Sequence, residues 1–263
     1  DEDVDLFGAA MTIARIGRDR VDEHGAARRL DLMAEAIRDG VGPTLDTQTL
    51  VQAVDHELFS VQGFHGNTSD YYDPANSFLD RVIERRRGIP LTLSLVFMEV
   101  AQRVGLRCDG IGFPGHFLVR CGDPEEPVYV DPFHQGARVD REELLAGLRG
   151  QELHGASPES YLAAVTRRQL LQRMLHNLHA VYRSVEDRDC LLPVVEFLIR
   201  LEPWNPALYG ERGLIHYRNG DADLAVADLE RFLMASEPQS ATPYAQRALD
   251  ELRLQLRIKE DAP

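Results

Sequence analysis

The sequence predicts an α+β protein: a helical N-terminal segment, a core with a small antiparallel sheet, and an all-α repeat region. Three observations carry that prediction. Apolar residues recur at helical spacing through the first part of the chain; a helix apolar nearly all round precedes three short strand-like runs; and the last part fits a helix–turn–helix repeat. The bounds these patterns suggest are 1–60, 61–155 and 160–263.

In the first segment Leu6, Ala9, Ala10, Ile13 and Ala14 recur at helical spacing, and so do Ala27, Leu30, Leu32, Met33, Ala36 and Ile37. Gly17, Gly40 and Gly42-Pro43 punctuate them. Asp46 is placed to cap a third helix running to Phe59. A turn-rich aromatic loop follows through Tyr71-Tyr72-Asp73-Pro74, and Asn76 or Ser77 then caps a helix ending at Gly88. Pro90 suits the first turn of the next helix, whose N–H groups have no intrahelical partner. That helix runs to about Val104 and should be the buried centre of the domain. Strands are expected over 108–113, 116–121 and 127–131, with a short closing helix over 141–148. Further on, Tyr209, Gly213, Tyr217, Gly220, Ala225, Leu229 and Pro238 match a tetratricopeptide-like repeat. An earlier copy has its helices over 170–182 and through Val194 and Leu198, and a final helix covers 243–256.

Composition narrows the function. With 29 Lys and Arg against 43 Asp and Glu, the net charge of −14 argues against nucleic-acid binding, which needs a concentrated basic surface. The run Arg85-Arg86-Arg87 reads as the basic end of a helix. Cys108, Cys121 and Cys190 are too few and scattered for a disulfide framework or a zinc site, so reduced thiols in a cytoplasmic protein are expected. A bridge between Cys108 and Cys121, on paired strands, is the alternative. No apolar run is long enough to span a bilayer.

The chemistry centres on His116 at a strand start and Asp131 at the end of the neighbouring strand, facing a helix that begins at Pro90. A Cys at such a helix start, activated by His and oriented by Asp, is a thiol triad. Gly88-Ile89-Pro90, Val104-Gly105-Leu106, Gly115-His116-Phe117 and Val130-Asp131-Pro132 resemble the transglutaminase-like (papain-like) core. The family pattern there is Gly-x-Cys, a helix ending in Gly, a His strand and Asp-Pro, and the fifteen residues from Pro90 to Gly105 match its interval. The chain is more closely similar to the bacterial SirB-type proteins, which join this core to tetratricopeptide-like repeats. Gly66-Asn67, Tyr71-Tyr72-Asp73-Pro74, Asn76-Ser77-Phe78-Leu79, Arg86-Arg87-Gly88-Ile89-Pro90, Pro114-Gly115-His116-Phe117 and Asp131-Pro132-Phe133 carry that likeness.

The resemblance implies His116 and Asp131 at the catalytic His and Asp positions, with the nucleophile position occupied by Pro90. Asn76, Arg87, Phe113 and Phe133 are cleft candidates. Thr92 is the alternative nucleophile, but two residues turn a side chain by about 200° around a helix, away from position 90. Cys121, read as sharing a strand with His116, should face the other way. His116 and Asp131 can equally pin two strands together. A metal held by His116, Asp131 and His134 is weighed and not expected, for want of a characteristic spacing, and no cofactor is implied. The expected function is therefore a non-catalytic protein- or peptide-interaction module, a pseudoenzyme. The alternative is a hydrolase or acyl transferase using His116 and Asp131 with Thr92 or an activated water. Partners are an unknown protein or peptide, through the repeats or the old cleft, with neither nucleic acid nor membrane.

Overall fold

Helix α5 (Pro90–Arg103) is the axis of the first part of the molecule. Leu91, Leu93, Leu95, Val96, Phe97, Val100 and Ala101 are all buried, so apolar groups leave it on every side, as its sequence requires. The computed structural model describes residues 4–18, 20–43, 46–149, 157–235 and 242–260, and the chain divides into two units, 1–177 and 178–263. The expected domain bound at 155 and Pro238 of the repeat pattern lie outside the described residues.

In the first unit α1 (Leu6–Ile13), α2 (Glu23–Val41), α3 (Thr47–Asp55) and α4 (Leu79–Arg85) accompany α5. Asp5, Asp22 and Asp46 each cap a helix by accepting a backbone N–H from the third residue on. The third helix departs from expectation after Asp55, where its last turn widens into a π-helical turn, His56–Val61. The fourth ends earlier than Gly88: Arg86 turns left-handed, and Arg87 and Gly88 become a strand. That strand, β2 (Arg87–Gly88), pairs in parallel with β1 (His65–Gly66), His65 opposite Arg87. So the turn-rich loop is tied by backbone bonds to the residues just before α5.

The sheet has four antiparallel strands in the order β3 (Cys108–Ile111), β4 (Leu118–Cys121), β5 (Val128–Asp131) and β6 (Ala137–Val139). Three were expected and begin or end within two residues of their predicted bounds. β6 was not, since three residues offer no alternation to read. One face buries Ile111, Phe113, Leu118 and Tyr129 against Leu144 and Leu148 of the closing helix α6 (Arg141–Gly147) and the turn after it. Ser94 of α5 donates from its hydroxyl to the carbonyl of Phe117 at 3.0 Å, pinning the turn before β4 to the central helix.

The boundary between the units falls within α7 (Arg167–Ser184). The second unit holds α8 (Arg188–Leu201), α9 (Pro206–Asn219), α10 (Ala222–Ala235) and α11 (Thr242–Glu260). Close crossing of α9 and α10 depends on small residues: a Cβ on Gly213 would lie 2.9 Å from Leu229, and Ala225 is fully buried. Arg212 and Asp228 form a two-pronged pair across that crossing at 2.6 and 2.8 Å. Among the described residues no helix is long and apolar enough to cross a membrane.

Candidate functional site

The site is assembled where α5 begins. Its first turn is held by one hydroxyl: Thr92 Oγ1 donates to the Asn76 carbonyl at 2.7 Å and accepts the Ile89 N–H at 3.2 Å. Thr92 is fully buried and its oxygen faces Gly88, where a Cβ would come within 2.7 Å. Asn76 is also fully buried, and does not cap α4, whose N-cap is Phe78 without a side-chain bond. Instead its carboxamide accepts from Asn67 and donates to the carbonyls of Asp70 and Tyr71, so that buried polar groups of the loop are satisfied from within. Asn76 is thus a staple of the loop that reaches the cleft through Tyr71.

His116 stands in the turn before β4, not on the strand as the sequence suggested. Gly115 takes a left-handed backbone at φ 77°, and the His116 N–H bonds the Phe113 carbonyl to close the turn. The imidazole is 46% exposed, and its Nδ1 lies 3.2 Å from Oδ2 of Asp131, which ends β5 and is only 6% exposed. The antiparallel register β4–β5 brings these elements together, as their order implied. Asp131 is held rigidly: its Oδ1 accepts the N–H groups of Phe133 and His134 at 3.0 and 3.2 Å. A second imidazole converges on the same oxygen, His134 Nδ1 at 2.8 Å, with the two rings 5.9 Å apart. Sequence reading weighed His134 only as a metal ligand; the Asp-x-x-His spacing in one tight turn was the available signal for its pairing with Asp131. His116, Asp131 and His134 place ligand-type atoms within 4.8 Å of one another.

A cleft of about 200 Å³ opens beside this pair, lined by Pro90 and Leu91 at the start of α5, by His116 and Phe117, and by Tyr71. His116 and Pro90 therefore share one cavity, with the ring's Nε2 as the nitrogen not committed to Asp131. Of the other cleft candidates, Phe133 is half-buried, stacked edge-on to Tyr71 at 6.4 Å and packed on Gly66. Arg87 is exposed on β2, away from the cleft lining. Phe113 is 7% exposed and belongs to the core beneath the sheet, its ring 6.5 Å from that of His116 but outside the cleft lining. Cys108 and Cys121 are cross-strand partners with sulfurs 2.9 Å apart, and neither lines this cleft. The Cys121 contact, then burial, pushes the Cys108 thiol far above the usual range, the reverse of an activated nucleophile. A larger groove of about 770 Å³, near Phe7, Arg103 and Cys108, holds no such His–Asp pair.

The comparisons agree with this architecture. Residues 24–176 match the Transglutaminase-like superfamily and residues 178–257 the Tetratricopeptide repeat. A UPF0162 protein of Xylella fastidiosa is 34% identical over 238 residues, covering 89% of this chain and 84% of that protein. One from Pseudomonas aeruginosa is 32% identical, covering 98% and 91%. F-box only protein 21 of Mus musculus is 25% identical over 82% of this chain and 38% of its own length. With a superfamily match across more than half its length and bacterial relatives alike nearly end to end, the chain belongs to the transglutaminase-like superfamily, in the UPF0162 (SirB-type) family.

Proposed function

We propose that this protein is a non-catalytic member of its superfamily that uses the cleft at the start of α5 to hold a peptide segment of a partner, with the tetratricopeptide-like repeats as a second docking surface. One observation carries the reading: the cleft holds Pro90, which has no nucleophilic atom, opposite an exposed His116 oriented by Asp131. Thr92, the nearest hydroxyl in sequence, spends its oxygen on the Asn76 carbonyl and the Ile89 N–H inside the core. A nucleophile must reach substrate and hydrogen-bond a base, and Thr92 does neither. The pair left behind offers recognition chemistry: a fixed imidazole beside an apolar helix start. Repeats of this kind present extended surfaces for other proteins.

The test is a turnover screen of the full chain against ester, amide and γ-glutamyl substrates, beside His116→Ala. The expected result is hydrolysis or acyl transfer no faster than buffer for both proteins. Turnover by the natural chain that His116→Ala abolishes would overturn the proposal in favour of a hydrolase working through an activated water.

A further inference from the structure

The last turns of α7 within the first unit bring a cation to the same cleft. Arg173 and, one helical turn on, Asn177 both line it. The Arg173 guanidinium lies 5.2 Å from the centre of the Phe117 ring. Its Nη1 packs so near Gly112 that a Cβ there would sit 2.5 Å away. An aromatic ring and a glycine thus position the group, and neither neutralises it. Among the described residues no carboxylate, carbonyl or other acceptor bonds Arg173. The residue as a whole is exposed, and the partial burial of its guanidinium against Phe117 and Gly112 pulls its pKa down with no anion to offset it. Five fixed N–H donors remain available in a fork that matches a carboxylate.

The other cleft groups complete a recognisable pattern. With Nδ1 turned to Asp131, His116 offers Nε2, an acceptor in the neutral ring, to a ligand N–H. Asn177 offers amide donors, and Ile89, Leu91 and Phe117 supply an apolar wall. A volume of about 200 Å³ is below the usual range of roughly 300–1,000 Å³ for small-molecule sites, so it suits the end of a chain rather than a strand laid through. A lone guanidinium balances one negative charge, which favours a carboxylate over a phosphate dianion, the more so in a protein of net charge −14.

We infer that the cleft captures a peptide carboxylate, its charge gripped by Arg173 and a neighbouring ligand N–H accepted by His116. The inference rests on the proposal that the cleft holds a peptide, and names what that peptide must present. The carboxylate comes from a chain terminus or from an Asp or Glu side chain, and the experiment separates the two.

The test is an NMR titration of the 15N-labelled full chain, following the amide signals of Leu91 and Phe117. The probes are an acetylated Ala-Ala-Val peptide with a free carboxylate, its C-terminal amide, an amidated Ala-Asp-Ala peptide and inorganic phosphate. Saturable shifts are expected with the free acid, and at least about tenfold weaker binding by its amide. If the side chain is the source, Ala-Asp-Ala binds instead, at similar strength. Arg173→Met should lose at least about tenfold in affinity and Arg173→Lys less, the lysine keeping the charge without the fork. Equal binding of acid and amide, with Ala-Asp-Ala no tighter than either, overturns the carboxylate and leaves peptide capture standing. So does binding unchanged in Arg173→Met, or phosphate binding more tightly than every carboxylate. If no probe moves either signal, capture of a peptide at this cleft falls with it. Should Arg173→Met fail to fold, the acid–amide comparison and Arg173→Lys still decide.

Discussion

Thr92 illustrates how a single buried hydroxyl fixes the geometry of a site. Its bonds to the Asn76 carbonyl and the Ile89 N–H join the loop and the residues before α5 to the helix. Thr92→Val keeps the shape and orphans both groups in the core, so unfolding free energy should fall by about 1–3 kcal/mol in a denaturant titration, while Thr92→Ser should cost less. Asp55 is a second residue whose environment predicts a measurement. Its Oδ1 is buried without a partner, and Oδ2 pairs with Arg138 at 2.5 Å. Burial raises its pKa from 3.8 to about 6, and the attraction of Arg138, whose side chain is 37% exposed to screening water, only partly offsets this. The folded chain therefore binds more protons than the unfolded one between about pH 4 and 6. This contribution to stability is full below the unfolded pKa and is lost as pH rises through 6. Asp55→Asn should remove that decline and stabilise the protein at pH 8, with little effect at pH 4. Denaturation midpoints across this range check it; a midpoint at pH 8 lowered by the substitution would count against the assignment.

At the scale of elements, the start of α5 is the decisive one. A first-turn residue faces backbone N–H groups and a positive helix end, which favour a thiolate, and His116 shares the cleft. Pro90→Cys should therefore gain a thiol alkylated by iodoacetamide at least about tenfold faster at pH 7 than the same substitution combined with His116→Ala. The background is favourable, since the Cys108 and Cys190 thiols are both pushed up and Cys121 is fully buried. Equal rates would mean that His116 does not face position 90. The sheet makes a different prediction. Gly122 N–H bonds the Arg107 carbonyl, which leaves Cys108 and Cys121 as the adjacent pair without backbone bonds, where side chains approach most closely. Oxidised glutathione should close them into a disulfide with loss of two hydrogens by intact mass, slowly, because the Cys108 thiolate is disfavoured. Persistence of both thiols after prolonged oxidation would refute the pairing. Elements were unevenly legible in sequence. α5 announced itself through Gly-Ile-Pro and an unbroken apolar surface, and the His116–Asp131 contact followed from two short strands joined by a Gly-Asp-Pro turn. The parallel pair β1–β2 and β6 involve two or three residues each, held by backbone bonds that no side-chain pattern records.

For the whole molecule, the order of helices, sheet and repeats was readable because each has its own period, whereas the cleft depends on distant segments. Arg173 was missed for that reason. It lies far along the chain from His116, on a helix whose apolar positions account for its pattern, and an exposed Arg on a helix gives no signal of its own. Only the folded chain shows it over Phe117 with its donors unspent. Net charge sets the terms on which a ligand reaches this cation. At −14 the protein repels anions at distances beyond a single pair, while Arg173 attracts at contact. Raising ionic strength from about 0.01 to 0.15 M shortens the screening length from about 30 to 8 Å, so long-range repulsion fades before the contact does. An acidic peptide ending in a free carboxylate should therefore associate several-fold faster at the higher salt, and one of the same ending with Lys in its body should associate more slowly. Stopped-flow association rates for the two peptides distinguish this from a purely local effect, in which salt would slow both.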